Sequence, residues 1–196
     1  MGTRDQILDA AAEVMHTRGL ARTTTKEIAR AAGYSEATLY KHFRDKTDLF
    51  LAVLTERVPS FSAVLADVAK DPQARSLRDN LIEIARGALV FYHESFPISA
   101  SVFSEPTLLA AHRTALTARN AGPHKAPAAL ARYLRAEQEL GRLAPHVDCD
   151  AAASLLLGAC LHHAFLTTFA QHPLSRSAAT THATATVDTL LAGLGD

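Results

Sequence analysis

Residues 23–43 read TTTKEIARAAGYSEATLYKHF. The groups there that could do chemistry are Lys26, Glu36, Thr38, Tyr40, Lys41 and His42, with the hydroxyls of Thr24, Thr25 and Ser35 close in sequence. They are mostly donors of hydrogen bonds and positive charge, which suits recognition of a polar, anionic surface. Bond-making chemistry has no such footing. The chain holds no G-x-S-x-G, no phosphate-cradling glycine loop and no metal-spaced cluster, so an enzyme is not expected. Ten histidines include His93, His112, His162 and His163, but none forms an i, i+4 His pair, so no metal is expected. Cys149 and Cys160 lie eleven residues apart. That is about 16 Å along a straight helix, too far for a disulfide within it.

Two short helices must position the residues of 23–43. Thr24 with Glu27 three residues on has capping-box spacing. The helix it opens carries Ile28 and Ala29 inward and ends near Ala32–Gly33. Small Ala29 lets a second helix cross closely, and Gly33 supplies the positive φ of a tight turn. Ser35 caps that second helix, which is expected to reach about His42, with Leu39 and Phe43 anchoring its inner side. Ala37, Thr38, Tyr40 and Lys41 stand on the opposite side, flanked by Glu36 and His42. A helix with such a face fits the DNA major groove.

Almost everything else reads as helix, and no stretch alternates like a strand. Residues 4–18 form an amphipathic helix stopped by Gly19. Asp45 caps a longer one, expected to run to about residue 69 with a kink at Pro59. Residues 70–76 are a joint, and a helix capped by Ser76 is expected to end near Ser95. Pro97 and Pro106 are expected to break the following stretch into short pieces. GPHKAP at 122–127 is a turn, a helix then runs to Gly141, and the last two helices span about 149–171 and 176–193. About nine helices imply an all-α protein.

The 196 residues carry 20 basic and 20 acidic side chains, so bulk charge cannot drive nucleic-acid binding and a local patch must. Residues 1–50 hold eight Lys or Arg against seven Asp or Glu, a net of +1. Two cysteines suggest a reducing compartment, and the N-terminus has no apolar secretory core. The longest apolar run, AAASLLLGACL at 151–161, is too short for a bilayer. A cytoplasmic location without membrane contact is expected.

The run TTTKEIARAAGYSEATLYKHFRDKTDLF resembles the DNA-binding domain of TetR-family transcriptional regulators. Their pattern, T-x-x-x-I-A-x-x-A-G-x-S-x-G-T-L-Y-x-H/Y-F-x-x-K-x-x-L, is matched by Thr24, Ile28, Ala29, Ala32, Gly33, Ser35, Thr38, Leu39, Tyr40, His42, Phe43, Lys46 and Leu49. It departs at Ala37, where Gly is common; Ala favours helix by about 1 kcal/mol and offers a methyl to thymine. The resemblance covers about residues 4–52. It implies an N-terminal three-helix helix-turn-helix domain over 1–50 and a helical effector-binding and dimerisation domain over 51–196. It implies phosphate contacts from Thr24, Thr25, Tyr40 and Lys46, helped by helix amides near Ser35 and Lys46. Lys26, Glu36, Ala37, Thr38 and Lys41 would face bases, with His42 beside them. Glu36 could instead only favour the positive end of its own helix.

The family likeness further implies a homodimer through the last two helices and a cavity among the middle ones. LLLGACL and VDTLLAGL suit close helix packing into a four-helix bundle. Phe61, Phe91, Phe103, His112, His163 and Thr167 are the expected lining for a small apolar effector, and no cofactor is expected. The function that follows is a ligand-responsive repressor on a pseudo-palindromic operator, its recognition helices about 34–36 Å apart or a multiple of one DNA turn. An architectural DNA-binding protein without an effector is the alternative, an enzyme the lesser one.

Overall fold

The computed structural model describes residues 2–19, 22–57, 65 and 74–193. Among them the chain forms nine α-helices and no strand. They are α1 Thr3–Arg18, α2 Thr25–Ala31, α3 Glu36–Tyr40, α4 Lys46–Glu56, α5 Leu77–Phe103, α6 Pro106–Ala118, α7 Lys125–Glu139, α8 Cys149–Phe169 and α9 Arg176–Gly193. The all-α architecture expected from periodicity is present.

Two compact units divide the chain. One comprises Met1–Pro59 with Ser95–Gly122, the other Ser60–Glu94 with Pro123–Asp196. The first is built around Ile7, Leu8, Met15, Ile28, Leu39, Phe43, Leu49 and Val53, joined by Ile98, Val102 and Leu108. These last three explain why packing does not divide at residue 50, where the functional division was expected. The second unit buries Leu81, Ile84 and Leu89 of α5 with Leu130 and Leu134 of α7, Leu156, Leu157 and Cys160 of α8, and Ala183 and Val187 of α9.

Local chemistry sets most helix ends. Gly19 closes α1 at φ 72°. Asp148 opens α8, its carboxylate accepting from Asp150 N at 2.9 Å and Ala151 N at 3.1 Å. Pro106 stands in the first turn of α6, where a missing N–H costs nothing. Pro97 is a correction: it does not break a helix but lies inside the 27-residue α5. An internal proline costs about 3 kcal/mol. Beyond it, Ile98 and Val102 are buried in the first core, and each such burial returns about 1.5–3 kcal/mol. Tertiary burial therefore outweighs the proline. α4 ends at Glu56, short of the expected residue 69, and Pro59 lies outside the described residues.

The apolar run at 151–161 is also larger than it reads. It belongs to α8, 21 residues with mean hydropathy 1.4, long and apolar enough to cross a membrane by length and composition. One side of α8 is core, and the other exposes Leu155, Leu161, Phe165, Leu166 and Phe169. Cys149 and Cys160 lie on the core side. Burial raises both thiols, Cys160 to about 12, which disfavours the reactive thiolate.

Candidate nucleic-acid interface

The α2–turn–α3 segment is held by backbone and caps before any side chain reaches outward. Thr24 Oγ1 accepts from Glu27 N at 3.2 Å, and Glu27 Oε2 accepts from Thr24 N at 3.2 Å, completing the capping box. The Thr24 amide first, then the Thr24 hydroxyl and last the charge of Arg18 hold the Glu27 carboxyl below its ordinary range, against the opposing effect of burial. Gly33 turns the chain at φ 77°, and Tyr34 N donates to Ala29 O at 2.8 Å. Ser35 then opens α3, its hydroxyl accepting from Thr38 N at 3.1 Å and lying 2.9 Å from Thr38 Oγ1. α3 ends at Tyr40, two residues before the expected His42, although His42 N still donates to Leu39 O at 3.0 Å.

Leu39 and Phe43 are buried beneath α3. Ala37, Tyr40, Lys41 and His42 are exposed, as are Thr24, Lys26 and Ser35, while Glu36 and Thr38 are half-buried. Lys46 is exposed in the first turn of α4, its ammonium 5.1 Å from the Phe50 ring centre. Asp45 caps that helix by accepting from Asp48 N at 2.8 Å. Of the sequence-derived recognition set, Thr24, Lys26, Ser35, Ala37, Tyr40, Lys41, His42 and Lys46 thus face solvent, while the anchors Leu39 and Phe43 do not. Thr25 differs from the rest: it is 8% exposed, its Oγ1 donates to Glu36 Oε1 at 2.5 Å, and it lies 3.2 Å from Tyr40 Oη. No sequence signal marks these contacts, which join positions eleven and fifteen residues apart across two helices.

Of the six residues expected to line a pocket, the described ones fall on several elements. Phe61 lies outside the described residues. Phe103 and His112 belong to the first unit, and Phe91, His163 and Thr167 to the second. Phe103, expected to line the pocket, stands 72% exposed at the end of α5. His112 Nδ1 is buried without a hydrogen-bond partner among the described residues, and burial lowers its pKa. A shallow hollow along α6 is lined by Ala110, Arg113, Thr114, Thr117 and Ala118, none of them among the six.

In the second unit Phe91 packs against the core, and Thr167 Oγ1 donates to His163 O at 2.9 Å and lies 3.4 Å from His93 Nδ1. The His163 ring stacks on His182, centres 3.7 Å apart, with His182 Nε2 buried and unpartnered among the described residues. Burial chiefly holds both imidazoles below the ordinary range; His162 and His93 add for His163, and His163 and His162 for His182. The unfolded chain therefore takes up protons first. The stabilisation is complete above the ordinary histidine pKa of about 6.5 and is lost as pH falls through the depressed values. Thermal melting should show Tm falling between about pH 7 and pH 5, and His182→Phe should flatten that fall. An unchanged pH dependence in the variant would mean the stack carries none of it.

Comparison with known proteins supplies the family. Residues 7–53 match the model of bacterial regulatory proteins of the TetR family, and residues 100–195 match the AefR-like transcriptional repressor C-terminal domain. YvkB, an HTH-type transcriptional regulator of Bacillus subtilis (strain 168), is 38% identical over 69 residues, 35% of this chain and 36% of that protein. Across the first curated relatives the matched stretch spans 22% to 52% of the relative's length. A solved TetR-family regulator from Mesorhizobium loti MAFF303099 superposes with TM-score 0.73 and 25% identity, covering 97% of this chain and 96% of that one. FadR of Bacillus subtilis, solved in complex with stearoyl-CoA, shares the fold at TM-score 0.68 and 16% identity, covering 96% and 98%. Matched at both ends and along its fold, the chain is no enzyme but belongs to the TetR family of DNA-binding transcriptional regulators.

Proposed function

We propose that the chain is a ligand-responsive repressor that binds a pseudo-palindromic operator as a homodimer. The observation that carries the reading is the polar surface of Lys26, Glu36, Ala37, Thr38, Tyr40, Lys41 and His42, seated on buried Leu39 and Phe43. Thr24, Thr25, Tyr40 and Lys46 are the proposed phosphate contacts, helped by helix amides near Ser35 and Lys46, and residues 1–50 are the reading domain. Residues 51–196 answer an effector and pair the subunits. Pairing is supported by the outward face of α8, where Leu155, Leu161, Phe165, Leu166 and Phe169 form an apolar surface a single chain leaves in water. Repression is supported by the repressor description of the matched C-terminal model. An effector with an apolar part is supported by FadR, solved in complex with stearoyl-CoA, whose acyl chain is apolar, on the same fold, and Phe91, His163 and Thr167 of the second unit are the proposed contacts for a small apolar effector here. Effector binding shifts the population toward dimers whose reading helices no longer match the groove spacing. The protein works in the cytoplasm, where its DNA is.

Selection of bound duplexes from a random pool tests the reading. Two inverted half-sites about one DNA turn apart should be enriched, bound by a dimer with affinity falling steeply in salt. No enriched sequence would overturn it, and enrichment with no release by any apolar small molecule would leave an effector-independent DNA-binding protein.

A further inference from the structure

We propose that Glu36 is an intramolecular competitor for the DNA backbone: in the free protein its carboxylate occupies the hydroxyl protons that a phosphate would take, and so sets the affinity for duplex. The inference rests on the DNA-binding reading above and adds a residue that regulates it.

Thr25 carries one hydroxyl proton, and at 2.5 Å that proton goes to Glu36 Oε1, since a carboxylate only accepts. Tyr40 Oη lies 3.2 Å from Thr25 Oγ1. With the threonine proton already given away, Tyr40 is the donor of that pair. The relay therefore runs from Tyr40 through Thr25 to Glu36 and consumes both hydroxyl protons. Thr25 opens α2 and Glu36 opens α3, so the relay also ties the two helices of the motif together. Its surroundings are a DNA-facing surface: Lys26, Tyr40 and Lys41 are exposed beside it.

Phosphate and carboxylate are both anionic acceptors, and one Thr25 proton cannot serve the two. A phosphate that reaches Thr25 evicts Glu36 and breaks a charge-assisted hydrogen bond. Such a bond at the weak end of its range corresponds to about tenfold in an equilibrium constant. The competition acts on the backbone contact, which is the same in every sequence, so it lowers affinity for all duplexes alike.

The test is Glu36→Gln in the full-length protein, titrated at fixed salt against one duplex from the random-pool selection and one scrambled duplex. Binding about tenfold tighter on both, by the same factor, is the expected result. Thr25→Val separates competition from a general charge effect. In that background the Thr25 hydroxyl, the one Glu36 holds directly, is gone and Tyr40 no longer reaches Glu36 through it, so the gain from Glu36→Gln should fall below about twofold. Thermal melting checks that each variant is folded. Unchanged affinity in Glu36→Gln overturns the proposal. So does weaker binding confined to the selected duplex, which would make Glu36 a base reader, and so does a gain kept in full beside Thr25→Val, which would make it bulk electrostatics. If the wild type enriches no duplex, the DNA reading itself falls and takes this inference with it; a wild type that binds while Glu36→Gln gains nothing removes only the competitor.

Discussion

Leu39→Ala is expected to lower the unfolding free energy by about 3 kcal/mol and to weaken operator binding by about tenfold or more. α3 has five residues, too few to hold helical form by its own hydrogen bonds. Leu39, 0% exposed, is its one buried side chain and packs in the core that contains Ile28 and Ala29. Truncation to Ala removes most of that anchor and leaves a cavity that the capped, turn-constrained segment cannot fill by moving as a whole. The recognition surface then spends less time docked, and apparent affinity falls with the docked fraction. Urea unfolding and a mobility shift on the selected duplex measure the two effects. Leu39→Met, which conserves volume, should cost less than about 1.5 kcal/mol and keep binding. A Leu39→Ala protein as stable as the wild type would show that the caps alone hold α3.

Arg142→Met is the second large effect, in the other unit. Glu137 is 0% exposed on α7, and Arg142 meets it two-pronged, Nε to Oε2 at 2.6 Å and Nη2 to Oε1 at 2.8 Å. Tyr133 lies in the same buried network, its hydroxyl accepting from Asn80 Nδ2 at 3.0 Å. Burial first, then the Glu137 carboxylate, hold the Tyr133 phenol well above its ordinary value. Removing the guanidinium leaves a buried carboxylate without its counter-charge, a change that costs about 3–5 kcal/mol. Arg142 is itself partly exposed, which places the expected loss near the lower end. Adding Glu137→Leu to Arg142→Met should recover part of the loss, because no charge then remains to be desolvated. Urea unfolding of the two single variants and the double variant closes the cycle. If Arg142→Met costs less than about 1 kcal/mol, the pair is not what holds that corner of the unit.

The helix-turn-helix was legible because its determinants are short-range. The capping box of Thr24 and Glu27, the positive φ at Gly33, the Ser35 cap and the i, i+4 anchors Leu39 and Phe43 each act within a few residues, so a spacing in the chain is already a geometry. The outward set of Lys26, Ala37, Tyr40, Lys41 and His42 follows as the complement of the buried stripe. Nothing local announces the Thr25–Glu36 contact, because it joins the first turns of two helices and exists only once they cross.

The same division runs through the rest of the molecule. Pro97 reads as a helix end by its own chemistry and is carried through by the burial of Ile98 and Val102 on a distant core. Glu137 has the side chain of a surface residue and ends fully buried because Arg142 follows it around the end of α7. Phe103 is aromatic and ends in solvent, while His163 finds His182 nineteen positions away on the next helix. Caps, turns and amphipathic stripes depend on neighbours along the chain, so residue order alone indicated the all-α fold and the outward-facing residues of the two-helix motif. Which polar groups are buried, which apolar ones stay exposed and which hydroxyls are already spoken for depend on partners far away in sequence. Only the packing of one helix on another chooses those partners.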